Sequence, residues 1–209
     1  MATCPICLER AAKRYCPAKE TQICAMCCGT MREVEIDCPS DCKHLISGRS
    51  YEAEKVIPDP ELITRVRQFD SDFLHRFSPI FDAVNRAVIE ERIRSQWLVD
   101  HDVIEVYRAL TATLKTLSNG IYYESLPEGP VRVSLFRRLR GLFDELMEPQ
   151  VNSDRRRLRA SEALQVLDFL TLAAQINSGI RPKSRRYLDW IMSMAAPIEQ
   201  VQSSGLILP

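Results

Sequence analysis

From residue 59 onward, apolar side chains recur at steps of three and four, the spacing that lines one face of a helix. Leu62, Val66, Phe69, Phe73 and Phe77 form the first such row. Asp59-Pro60-Glu61 starts it with a capping acid, a proline at the first helical position and a second acid near the positive end of the helix dipole. Ser78-Pro79 repeats the start signal and predicts a second helix from Pro79 to near Leu98, or one kinked helix through both rows. A third helix carries Val103, Val106, Leu110, Leu114 and Leu117, is capped by Asp100 or Asp102, and ends at Asn119-Gly120.

Residues 121–129 read as a loop with a short extended piece at Ile121-Tyr122-Tyr123. Pro130 opens a fourth helix that runs to near Met147 and stops at Pro149. Ser153 or Asp154 caps a fifth, with Leu164, Leu167, Leu170 and Ala174 facing inward until Gly179. Pro182 or Ser184 begins a sixth, with Leu188, Ile191, Met192 and Ala195 inward, closed by Pro197. The apolar Leu206-Ile207-Leu208 in the tail is suited to docking on this body. Trp97, Tyr107 and the phenylalanines from Phe69 to Phe81 are expected in the core. The fold class is mainly α, with five to six helices after the opening region.

The first 57 residues follow another logic. A helix is predicted from Ser40 to near Val56, and Ile57-Pro58-Asp59-Pro60 stops it, since a residue before proline is pushed out of the helical region. That gives two units, 1–57 and 58–209. All eight cysteines lie in the first 42 residues, among few large aliphatics. So short a segment buries too little apolar surface to fold unaided. No apolar run approaches the roughly 18 residues of a membrane span, and the opening residues lack the basic and apolar regions of a secretory signal. A cytoplasmic protein is expected. There a reducing environment favours metal ligation over disulfides.

Zinc takes four ligands at tetrahedral corners, and a Cys-x2-Cys pair on a tight turn supplies two. Cys4-Pro-Ile-Cys7 and Cys24-Ala-Met-Cys27 are two such pairs, at a separation suited to one ion. Cys16, Cys28, Cys38 and Cys42 remain as a second complete set, so two zinc ions are expected. Cys27 and Cys28 are adjacent and can exchange roles between the sets; His44 is an alternative to one thiolate. Four thiolates leave no open coordination position, which marks the sites as structural. Such an ion contributes on the order of 10–16 kcal/mol of folding energy in finger peptides.

Tyr15-Cys16-Pro17, Ile23-Cys24 and Cys38-x3-Cys42, in this order, resemble the small cross-brace and treble-clef zinc fingers, the class of the HIT-type, MYND-type and B-box modules. The likeness covers residues 4–44. It implies alternating ligand pairs, two zinc ions and a protein-binding role.

Charge sharpens the choice of partner. Lys plus Arg equals Asp plus Glu over the whole chain and again over residues 1–57, eight of each. Eight thiolates and two Zn²⁺ would leave the head near −4, a charge that repels phosphate. Between Val131 and Trp190, by contrast, twelve Lys/Arg face seven Asp/Glu. Protein interaction through a zinc-stabilised head is therefore the expected function, with nucleic-acid binding through the basic helices as the alternative. Asp72-x2-His75 lacks the further ligands of a di-iron bundle, and Asp100-His101-Asp102 reads as a helix cap. The sequence contains no phosphate loop and no nucleophile motif, so no enzyme activity is expected.

Overall fold

The structure, a computed structural model, describes residues 2–54, 59–120, 123–148 and 157–195. The domain boundary expected at Ile57–Pro58, Ile121-Tyr122 of the expected extended piece, the stops at Pro149 and Pro197, the cap at Ser153 or Asp154, and the apolar tail lie outside them.

The head begins with a tight turn at Cys4–Cys7, followed by a two-stranded antiparallel hairpin, β1 (Arg14–Cys16) and β2 (Thr21–Ile23), with Cys16 opposite Thr21. A short helix α1 (Ala25–Met31) follows, then an irregular segment, then α2 (Lys43–Ala53). The hairpin and α1 escape the sequence reading because three-residue strands and a seven-residue helix are too short to show a period. The helix expected from Ser40 starts three residues later with Cys42 at its N-cap, which frees Ser40 for another task. Five cysteines and only three aliphatics, Ile23, Ile36 and Leu45, form the buried centre of this unit. Sulfur takes the place of a hydrocarbon core.

The body contains α3 (Pro60–Val66), α4 (Ser71–Arg94), α5 (Asp100–Ser118), α6 (Pro130–Met147), α7 (Ala160–Asn177) and α8 (Arg186–Met194). Helix α5 is central. It packs on α6 and α7, while α4 packs on α6 and α8. Val103, Val106, Leu110 and Leu114 of α5 meet Leu139 and Phe143 of α6 and Leu167 and Leu170 of α7 in one buried cluster. Asp59 caps α3 as expected, accepting from the Glu61 amide at 2.9 Å.

Four expectations are corrected. The apolar row from Leu62 to Phe77 breaks at Arg67, because Asp70 accepts from the Phe73 amide at 2.7 Å and starts a fresh helix. Pro79 does not begin a helix but lies inside α4; the Ser78 hydroxyl donates to the His75 carbonyl that Pro79 cannot serve. Helix α7 starts at Ala160, where Glu162 turns back to the Arg159 amide at 3.0 Å. Trp97, 64% exposed, and Met192 and Ala195 point outward rather than into the core.

A polar interface joins head to body. Arg181 donates to the carbonyls of Gly29 (3.1 Å) and Arg32 (2.7 Å) and pairs with Glu52 at 3.0 Å. The Lys183 amide donates to the Glu33 carbonyl at 2.8 Å, and its ammonium to the Glu35 carbonyl at 2.9 Å. Arg185 pairs with Asp37 at 2.5 Å. Asp189 accepts from Ser40 (2.7 Å) and from Arg49 (2.6 Å), which also holds Glu33. On the head side, the Arg32 guanidinium lies across α2 at Gly48, where a β-carbon would stand 1.4 Å from it. Only glycine leaves room for that crossing.

Candidate metal centre

The first turn is built to aim sulfur. Leu8 donates its amide to the Cys4 carbonyl at 2.8 Å and adopts φ +55°, a left-handed conformation that L-residues other than glycine rarely hold. The reversal returns the chain so that the Cys4 amide reaches the Arg10 carbonyl at 2.8 Å. Backbone N–H groups of Glu9 and Arg10 then point at the Cys7 thiol, and those of Cys7, Cys24 and Ile6 at Cys4. Amides directed at sulfur stabilise thiolate and orient it, the work of outer-shell partners in a metal site.

The second pair comes from α1. Cys24 is its N-cap and accepts from the Cys27 amide at 3.3 Å, which sets the two side chains on one side of the first turn. The four sulfurs of Cys4, Cys7, Cys24 and Cys27 lie within 4.8 Å of one another. Cys7 and Cys24 are 3.9 Å apart. Tetrahedral zinc with bonds of 2.3 Å requires sulfurs about 3.8 Å apart. The donor set fits in number, type and spacing. Cys4 is fully buried and Cys24 and Cys27 nearly so, while Cys7 is half-buried.

The thiol pKa values follow from the same crowding. Burial alone would raise Cys4, but the amides of Cys7, Cys24 and Ile6 outweigh it and bring the thiol down to about 6. The amides of Glu9 and Arg10 lower Cys7. Cys27, hydrogen-bonded by Cys24 and buried, is pushed up to about 12. The surroundings thus favour thiolate at Cys4 and Cys7 and the protonated thiol at Cys27, a split that a divalent cation relieves by taking all four as thiolates.

The remaining cysteines pack into the same buried centre but do not draw as close. Cys16 sits at the end of β1, Cys28 on α1 beside Cys27, Cys38 in the irregular segment and Cys42 at the N-cap of α2. Burial raises the Cys38 thiol, the Glu33 amide opposes this, and Cys42 and Cys16 add to the rise, so these three are neighbours. Among the described residues, only the first set reaches mutual ligand distance. All eight cysteines are free thiols. His44 stands outside the donor group, with burial and nearby Arg14 lowering its pKa.

The other candidates resolve into structural roles. Asp72 and His75 are exposed on α4. Asp102 accepts from the Val99 amide at 3.1 Å and caps α5. Asp100 does something the sequence did not suggest. It is 1% exposed, and it accepts from Ser184 (2.9 Å) and from the amides of Tyr187 (3.1 Å) and Leu188 (3.1 Å), capping α8 from a distant helix. No local signal announces a cap supplied across 87 residues. Of the basic residues, Arg132 pairs with Asp102, Arg138 with Glu90 and Arg140 with Asp144, while Arg181, Lys183 and Arg185 hold the head. Among the described residues, no helix is long and apolar enough to cross a membrane. Compared with known families, curated proteins and solved structures, the chain matches none.

Proposed function

We propose that the chain is a zinc-binding interaction protein whose head is folded by two structural zinc ions and recruits a protein partner. The observation that carries this reading is the buried cluster of Cys4, Cys7, Cys24 and Cys27, all within 4.8 Å of one another. A turn bearing two cysteines, a hairpin, and a helix bearing two more at its start is the order of elements in a treble-clef finger. Cys16, Cys28, Cys38 and Cys42 form the second site, and metal binding draws their sulfurs together, as binding and folding are coupled in such modules. Eight free thiols suit a reducing compartment such as the cytoplasm.

Two features support protein rather than nucleic acid as partner. Of the twelve cations between residues 131 and 190, six (Arg132, Arg138, Arg140, Arg181, Lys183 and Arg185) are occupied within the molecule, by Asp102, Glu90, Asp144 and the head. On the head, meanwhile, Leu8, Tyr15 and Met26 expose apolar side chains.

Metal content of protein purified without added metal tests the reading, together with a pull-down of parent and Cys7→Ser chains. Two zinc equivalents per chain are expected, falling in Cys7→Ser with loss of captured partner. Protein that is metal-free yet ordered over residues 4–44 would refute it, as would heparin retention that collapses steeply with salt.

A further inference from the structure

The head–body interface and the second cysteine set share one piece of chain. Between Met31 and Lys43 the backbone belongs to no helix or strand of the fold; short turns and an isolated bridge from Arg32 to Ile36 organise it. Cys38 and Cys42 sit in this piece. So do the groups that meet the body: the carbonyls of Arg32, Glu33 and Glu35, the Asp37 carboxylate and the Ser40 hydroxyl.

We infer that metal in the second site gates the docking of the head on the body segment 181–189. This rests on the two-zinc reading above. The physical reason is the kind of contact involved. Its identified bonds are hydrogen bonds and ion pairs, and these hold only while donors and acceptors keep their positions, unlike an apolar interface that tolerates small shifts. The positions on the head side are set by a segment with no ladder of its own, anchored by Ile36 and by the sulfurs of Cys38 and Cys42. Release of their metal frees that segment and withdraws four acceptors from Arg181, Lys183 and Arg185, and the Ser40 donor from Asp189, together.

The body has its own means of staying folded. The N-terminus of α8 is held by Asp100, and Ser184 is bonded to Asp100 at both its carbonyl and its hydroxyl. The cluster around α5 includes no residue of the head. Undocking is therefore a separation of two units and not a general unfolding, and it frees Arg181 and Lys183 from their head partners while Arg185 keeps its bonds to the Gln96 and Leu98 carbonyls.

Hydrogen exchange read by mass spectrometry on the full chain tests this, comparing zinc-loaded protein, protein treated with a chelator, and the Cys42→Ser and Asp189→Ala variants, with zinc counted in each sample. Chelation and Cys42→Ser are expected to speed exchange at the Lys183 amide and over residues 32–40 by at least tenfold, with α5, α6 and α7 unchanged. Asp189→Ala is expected to keep two zinc ions while exchange at Lys183 still rises, which isolates docking from head folding. Two zinc ions in the parent with Lys183 protection indifferent to their removal would overturn the inference and leave the metal reading standing, and so would loss of protection across α5–α7 in step with Lys183. Fewer than two zinc ions in the parent removes both.

Discussion

Asp100 carries a cost that can be measured. Burial raises its pKa to about 6 from an ordinary value of 3.8, against the pull of the Leu188 and Tyr187 amides and the Ser184 hydroxyl. A carboxyl that binds its proton more tightly when folded stabilises the fold in its protonated form. That contribution is complete below pH 3.8 and is lost as pH rises through about 6. The permanently neutral Asp100→Asn lacks this slope. The stability of parent minus variant, from urea titrations, should fall by about 2 kcal/mol between pH 4 and pH 7. Acid titration of the cysteine cluster affects both proteins alike and cancels in the difference. A flat difference would mean that the buried carboxylate is ionised without penalty.

At the scale of elements, α4 shows how a sequence signal is overridden. Ser78-Pro79 carries the marks of a helix start, yet twenty-four residues run through it as one helix. Phe73 and Phe77 before the proline and Phe81 after it gather with Phe69 and Phe169, with centroids 4.8 to 6.1 Å apart in the closest pairs, and this packing holds both halves in line. Proline inside a helix costs about 3 kcal/mol in isolation. Here the Ser78 hydroxyl serves the orphaned His75 carbonyl, and proline also restricts the unfolded chain. Pro79→Ala is therefore expected to gain only about 1 kcal/mol in chemical denaturation. A loss instead would show that Pro79 is needed to lay α4 against both α6 and α8.

Across the whole molecule, Arg185 is the tie. It is 4% exposed and donates to the carbonyls of Gln96 (2.9 Å) and Leu98 (3.2 Å) between α4 and α5, while pairing with Asp37 of the head. Its removal leaves two carbonyls and a carboxylate without their donor in a protected setting. Arg185→Ala should destabilise the chain by roughly 3 kcal/mol, measured by the midpoint of denaturation, with near-ultraviolet dichroism from Trp97 reporting the loosened α4–α5 turn. An unchanged midpoint would show that water reaches these groups and replaces the guanidinium.

Much of this was legible without coordinates. Composition and cysteine placement indicated a small sulfur-centred head, and the three-and-four spacing of Val103 to Leu114 and of Leu167 to Ala174 marked the core helices, because burial on one face imposes a period that survives any tertiary arrangement. The Cys4, Cys7, Cys24, Cys27 set was readable for a similar reason: tetrahedral geometry restricts ligand spacing along the chain. What stayed hidden was whatever depends on residues distant in sequence. The restart at Asp70 competes with an unbroken apolar row, the capping of α8 by Asp100 has no local mark, and the employment of Arg181, Lys183 and Arg185 in holding the head looks, from composition, like an unspent basic patch. Periodicity and ligand spacing are local constraints, written along the chain; caps and ion pairs between distant segments are satisfied in space, and only the folded molecule decides which charge meets which.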